Sequence, residues 1–177
     1  MKVLAYDKFP NDSLGLDYVS LDELFKESDI ISLHCPLTPE TTHIINNESI
    51  AKMKKGVVII NTSRGALIDT ESLIEGIKNK QVGAACLDVY EEEGNLFFED
   101  YSGHIIQDDT LARLISMPNV IVTSHQGFLT REALNNIAET TVQNIMSFYG
   151  NGSNENEICY RCENMENCRR KRKEACF

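Results

Sequence analysis

Short aliphatic runs alternate along the chain with longer stretches in which apolar residues recur at helical spacing. The runs at 2–6, 30–33, 56–60, 83–89 and 120–123 are 4–8 residues long, rich in Val, Ile, Leu and Ala, and bounded by polar or turn residues, which predicts strands. Their near-continuous apolar character predicts burial on both faces. Helical patterns fall between them at 20–26, 47–53, 70–80, 109–115 and 130–149. The third opens with Thr70 as N-cap and acids in its first turn. Buried strands separated by helices predict a parallel sheet of the doubly wound α/β class, in which ligands bind beyond the carboxyl ends of the strands.

Composition changes the picture only at the end of the chain. The 177 residues carry a net charge of -10, with 42% hydrophobic and 25% charged residues, the balance of a folded domain and not of a disordered one. A folded chain of this length buries roughly 70% of its unfolded surface, so it needs no disulfide or metal for stability. An acidic body argues against nucleic acid as partner. No apolar run approaches the ~20 residues of a membrane span, and the N-terminal residues have no signal-peptide pattern, so a cytoplasmic protein is expected. The segment 155–177 carries +1 and differs in kind from the body. Four of the six cysteines, Cys159, Cys162, Cys168 and Cys176, crowd the last nineteen residues as C-x2-C-x5-C-x7-C, while Cys35 and Cys86 sit in apolar segments. Four close thiols can ligate zinc or an iron–sulfur cluster. This spacing matches no standard ribbon or ferredoxin pattern, and free thiols in a polar tail are the alternative. The expected division is a body at 1–127, a long helix at 128–150, and a polar linker with a Cys-rich tail at 151–177.

Candidate chemistry clusters at strand ends. The first strand ends in Asp7, which can accept hydrogen bonds from a ribose or simply open a turn before Pro10. The second runs into His34, Cys35 and Pro36, where proline ends the ladder. The third ends in Asn61, Thr62, Ser63 and Arg64, a polar turn whose guanidinium suits a carboxylate, although a lone arginine is more often a solvated surface residue. The fourth leads through Asp88 into Glu91, Glu92 and Glu93, and the fifth into His125. A histidine just past a buried strand is placed for proton transfer, and a nearby carboxylate favours its charged form.

The segment HCPLTPETTHIINNESIAKMKKGVVIINTSRGALIDTESLIEGIKNKQVGAACLDVYEEE, followed by NVIVTSHQGF, resembles the D-isomer-specific 2-hydroxyacid dehydrogenases, and LFFEDYSGHIIQDD is similar to their D-lactate dehydrogenase branch. The resemblance runs from about residue 3 to 150. It implies a Rossmann-like NAD-binding domain and hydride transfer between NAD(H) and a small 2-oxo or 2-hydroxy acid, most readily pyruvate and D-lactate. It also implies a homodimer in the complete family member. Residue by residue, Arg64 corresponds to the arginine that binds the substrate carboxylate, His125 to the acid/base and Glu93 to its carboxylate partner. For the cofactor, Asp7 corresponds to the ribose-binding acid, Cys35 and Pro36 to the wall beside the adenosine, and Thr41 to a pyrophosphate-side or ribose contact. Thr62 and Ser63 correspond to the nicotinamide-side backbone, with Arg64 beside them, and Asp88 to the residue facing the carboxamide. His34, His43 and His104 match no catalytic position and are read as structural or solvated.

One departure stands beside the match: the 177 residues contain no G-x-G-x-x-G. In the family that loop precedes the strand corresponding to 2–6, and its backbone amides hold the pyrophosphate. The resemblance therefore implies a chain lacking the first β-α unit and much of the substrate domain, with unpaired strand edges, a tendency to self-associate and weakened NADH binding. Three function classes stay open: the dehydrogenase, a non-catalytic binding or dimerisation module, and a metal-binding or redox element in the tail.

Overall fold

The structure, a computed structural model, describes residues 1–95, 107–152, 154 and 156. His104, most of the segment 96–109 and the four tail cysteines lie outside the described residues. Contacts divide the chain into two units, Met1–Gly127 and Phe128–Phe177.

The first unit alternates strand and helix. Its strands are β1 (Leu4–Ala5), β2 (Asp17–Tyr18), β3 (Ile30–Leu33), β4 (Val57–Asn61), β5 (Val82–Leu87) and β6 (Val120–Val122). Its helices are α1 (Leu21–Glu27), α2 (Asn47–Lys52), α3 (Thr70–Lys78) and α4 (Asp109–Ser116). All pairings are parallel. β3, β4, β5 and β6 form a four-stranded sheet in that order, with Ile31 opposite Ile59, Ile59 opposite Ala85 and Cys86 opposite Ile121. β1 and β2 form a separate pair, so among the described residues β1 pairs only with β2 and β3 only with β4. This is the parallel α/β, Rossmann-like arrangement.

Local sequence explains where the helices begin. Ser20, Asn46, Asp69 and Asp108 each accept a backbone N–H from the first turn that follows them, and Asn46 with Ser49 makes a reciprocal capping box. The cap of α3 is thus Asp69, and Thr70 is its first helical residue, one position away from the expected cap. Leu73 and Ile74, with Ile77 one turn further on, are buried, joining Val57, Ile59, Val82 and Leu114 in the core. Each such side chain contributes roughly 1.5–3 kcal/mol by leaving water. α3 ends at Lys78, and Lys80 turns into left-handed backbone (φ 64°) before β5.

Two expectations are corrected. Burial on both strand faces fails: along β3 and β4 alternate residues are buried while their neighbours are not, and Ile30 (54%) and Ile121 (62%) are exposed. Consecutive helices contact one another, α1 on α2, α2 on α3 and α3 on α4, as one row does, which accounts for the better-buried face. β2 was also not anticipated, because two residues carry no period-2 signal.

The second unit is described mainly by α5 (Arg131–Asn151), capped by the Thr130 hydroxyl on the Ala133 amide and closed by Gly152 at φ 70°. Within this unit Leu134, Ile137, Val142, Ile145 and Met146 are exposed along the helix.

Candidate functional site

The carboxyl end of β4 is organised by a buried amide. Asn61 is 1% exposed. Its Nδ2 donates to the Arg64 carbonyl (2.9 Å), its Oδ1 accepts the Ser63 amide (3.1 Å), and its carbonyl accepts the Asp88 amide (2.9 Å). One side chain thus closes the turn 61–64, while the same residue's backbone ties it to the end of β5. The Ser63 hydroxyl donates to the Cys35 carbonyl (2.8 Å), joining the ends of β3 and β4. Thr62 and Arg64 are exposed on this turn, and the Arg64 guanidinium donates to the Ser63 carbonyl (2.8 Å).

Asp88 performs the same joining role between β5 and β6. One carboxylate oxygen accepts both the Thr123 hydroxyl (2.5 Å) and the Gln126 amide (2.8 Å), and its carbonyl accepts the His125 amide (3.0 Å). Burial alone pushes the Asp88 carboxyl up. The hydrogen bonds from Thr123, Gln126 and the Gly127 amide, with His125 nearby, outweigh it and hold the carboxyl below the usual carboxylate range. His125 takes left-handed backbone at φ 51°, and its Nε2 lies 3.1 Å from Glu93 Oε1. The second Glu93 oxygen accepts the Tyr90 amide (2.8 Å), so both ends of that carboxylate are held. Tyr90 is buried and donates its phenol to Asp108 (2.8 Å). Burial, Asp108 and the neighbouring Glu92 and Glu91 push that phenol well above the ordinary tyrosine range, so it remains a donor.

Three of the expected residues therefore meet: Glu93, His125 and Asp88. Arg64 is joined to them through the backbone. A side chain on the adjacent Gly65 would collide with the Tyr90–Glu91 peptide, so the turn that carries the arginine rests on the turn that carries Glu93. Asp7 follows the carboxyl end of β1. Its carboxylate accepts the Phe9 amide (2.8 Å), which is the turn-opening role, and its charge reaches Cys35. Burial pushes the Cys35 thiol up, the residue's own backbone hydrogen bond pulls it down, and Asp7 pushes it up again. The Thr41 hydroxyl donates to the Pro36 carbonyl (2.7 Å) and accepts the Thr38 amide (2.8 Å), closing the loop after β3.

Sequence reasoning placed Asn61 in the polar turn that ends the third strand but gave it no role of its own; its signal was a polar residue ending an otherwise aliphatic run. It also set His43 aside. That ring sits 2.5 Å from a Glu91 oxygen and 3.7 Å from an Asp69 oxygen. His34 is exposed and hydrogen-bonds the Ser32 hydroxyl (2.8 Å). Among the described residues no group of three or more His, Cys, Asp or Glu could hold a metal ion, and no helix is long and apolar enough to cross a membrane.

Residues 1–127 match the family described as D-isomer specific 2-hydroxyacid dehydrogenase, NAD binding domain. The D-lactate dehydrogenase of Escherichia coli is 50% identical over 161 residues, covering 89% of this chain and 49% of that protein. An aromatic 2-oxoacid reductase of Clostridium sporogenes is also 50% identical, with the same coverage of 89% and 49%. Among solved structures, a Salmonella D-lactate dehydrogenase superposes with a TM-score of 0.72 at 51% identity, covering 90% of this chain and 48% of that one. The chain spans about half the length of the curated relatives it matches.

Proposed function

Because the chain belongs to the D-isomer-specific 2-hydroxyacid dehydrogenase family and spans the region of its NAD-binding domain, we propose that it serves hydride transfer between NAD(H) and a small 2-oxo acid. Pyruvate and D-lactate are the first pair to test, supported by the Escherichia coli relative. The Clostridium sporogenes relative makes an aromatic 2-oxo acid the competing substrate. The observation that carries the reading is the Glu93–His125 hydrogen bond beyond parallel strand ends, with the polar turn of Arg64 packed against the same segment.

The residues present suit the dinucleotide at its two ends. Asp7 offers an exposed carboxylate to a ribose diol, Cys35 and Pro36 an apolar flank to the adenosine, and the exposed Thr62, with Ser63 beside it, a polar edge to the nicotinamide. Asp88 would be the acceptor for the carboxamide, and Thr41, which closes the loop after β3, would lie on the pyrophosphate side. When bound, the cofactor supplies the hydride.

The chain's own groups manage charge. Arg64 holds the substrate carboxylate through two parallel hydrogen bonds and polarises the keto group. During reduction negative charge grows on the carbonyl oxygen, and His125 delivers a proton there. Glu93, held at both oxygens, keeps the ring oriented. In the reverse direction the same ring accepts the hydroxyl proton. The reading extends to a cytoplasmic homodimer, checked by gel filtration and cell fractionation.

The test is NADH oxidation with pyruvate and, separately, an aromatic 2-oxo acid. It uses this chain and a chimaera in which the chain replaces the matched half of the Escherichia coli D-lactate dehydrogenase. The chimaera is expected to be active, and His125→Gln to lower its turnover by about 10²–10⁴-fold. Equal rates for the chimaera and its His125→Gln variant would remove His125 from the mechanism.

A further inference from the structure

Two ionisable side chains that the proposed reaction does not use meet beside the residues that it does. His43 lies in the loop between β3 and α2, and Glu91 in the turn after β5, 48 residues away, yet their side chains are 2.5 Å apart. Both are partly shielded from solvent, with 38% and 23% of their side-chain surfaces exposed. The contact is built from both sides. The second Glu91 oxygen accepts the Thr70 hydroxyl (3.1 Å) and the Thr70 amide (3.3 Å) at the start of α3. The other nitrogen of the His43 ring faces Asp69 at 3.7 Å. The His43 backbone stands in left-handed conformation at φ 52°, held there by its amide donating to the Ala66 carbonyl (2.9 Å) and its carbonyl accepting from the Asn46 side-chain Nδ2 (2.9 Å). A histidine kept in an unfavourable backbone region by its surroundings is an aimed side chain.

What the pair holds is the segment on which Glu93 is built. Glu93 bonds Tyr90 twice, its carboxylate accepting the Tyr90 amide (2.8 Å) and its amide donating to the Tyr90 carbonyl (3.4 Å). The Tyr90–Glu91 peptide is the surface on which Gly65 rests. Tyr90 is anchored through its phenol to Asp108, and Glu91 through His43 and Thr70. Releasing Glu91 frees one anchor of the turn that presents Glu93 to His125.

We propose that His43 and Glu91 are positioning residues whose pair fixes the turn from Tyr90 to Glu93 and so keeps the Glu93 carboxylate on His125. The inference rests on the Glu93–His125 reading of the preceding subsection and goes beyond it, since neither His43 nor Glu91 is assigned a part in the chemistry there. A pair that only stabilised the fold would leave the His125 ring as tightly held as before.

The experiment follows the ring directly in the 177-residue chain. Diethyl pyrocarbonate acylates neutral, accessible imidazole nitrogens, and peptide mass spectrometry reads each histidine separately, with exposed His34 as internal reference. Glu93→Gln is the control and should speed the reaction at His125. His43→Gly removes the imidazole and places at φ 52° a residue that adopts this conformation readily, so the fold is retained. It should speed acylation of His125 about threefold or more relative to His34, the size expected for a hydrogen bond loosened rather than lost. Glu91→Gln keeps an acceptor for Thr70 while removing the charge that faces His43, and should move the His125 rate in the same direction. A changed melting temperature with an unchanged His125 rate in both variants would overturn the proposal and leave the pair a structural one. An unchanged rate in Glu93→Gln would overturn the Glu93–His125 reading and this inference together.

Discussion

Gly65 packs against the Tyr90 carbonyl so closely that any side chain at position 65 would overlap it, and a Cβ there would also stand 2.5 Å from the Glu91 amide nitrogen. Backbone meets backbone at this point, with the arginine turn on one side and the Glu93 turn on the other. Gly65→Ala must push the two turns apart. It is expected to destabilise the chain by about 3 kcal/mol or more, the range for overpacking against unyielding backbone. Thermal denaturation checks this, and an unchanged melting temperature would contradict the packing.

Asn61 makes the corresponding prediction from the inside of the β4 turn. Asn61→Ala leaves the Ser63 amide without its partner and the Arg64 carbonyl with the Leu67 amide alone (3.2 Å), and is expected to cost about 1–3 kcal/mol. In the chimaera the Arg64 turn should loosen, raising KM for the 2-oxo acid more than it lowers kcat. Steady-state kinetics with pyruvate reads the split.

Acid stability follows from two carboxyls. Backbone and side-chain hydrogen bonds from Ser72 hold Asp69 below the usual carboxylate range against some burial, with His43 adding to them, and Asp88 is held low as described. A carboxyl lowered in the folded state contributes stability that is present above its unfolded pKa of about 4 and lost as pH falls through the folded value. The melting temperature should therefore fall below about pH 4. Asp69→Asn, which still caps α3, should flatten part of that fall while costing less than about 1 kcal/mol near neutral pH. Melting curves across the acid range decide it.

The separate β1–β2 pair and the outer edge of β3 leave strand edges that pair with nothing among the described residues. Unpaired parallel edges favour association. The average mass of the chain in analytical ultracentrifugation is expected to rise with concentration. Its NADH affinity should be weak, because no G-x-G-x-x-G cradle occurs in the 177 residues. A monodisperse, cooperatively melting monomer that binds NADH at micromolar concentration would refute both.

Much of this fold was legible because strand and helix periods differ. β3 was anticipated residue for residue, and β4, β5, β6 and the helices to within two residues at each end. β1 shortened to Leu4–Ala5 and β2 went unseen, since pairing at the margin of a sheet depends on neighbours rather than on local pattern. At the site, Glu93 and His125 were named from sequence, and the structure adds their hydrogen bond. The His43–Glu91 pair was invisible for a physical reason. Neither residue carries a local signal, and their meeting depends on where two separate loops land.

His125 itself sits at φ 51°. A left-handed turn disfavours any residue with a Cβ by roughly 1 kcal/mol, so position 125 would be more comfortable as glycine. His125→Gly should then keep or raise the melting temperature while deleting the imidazole to which the proposed reaction assigns the proton. At this one point thermodynamic ease and reactivity are opposed: the chain tolerates a small permanent strain, and what it gains is a ring facing the carboxylate that steers it.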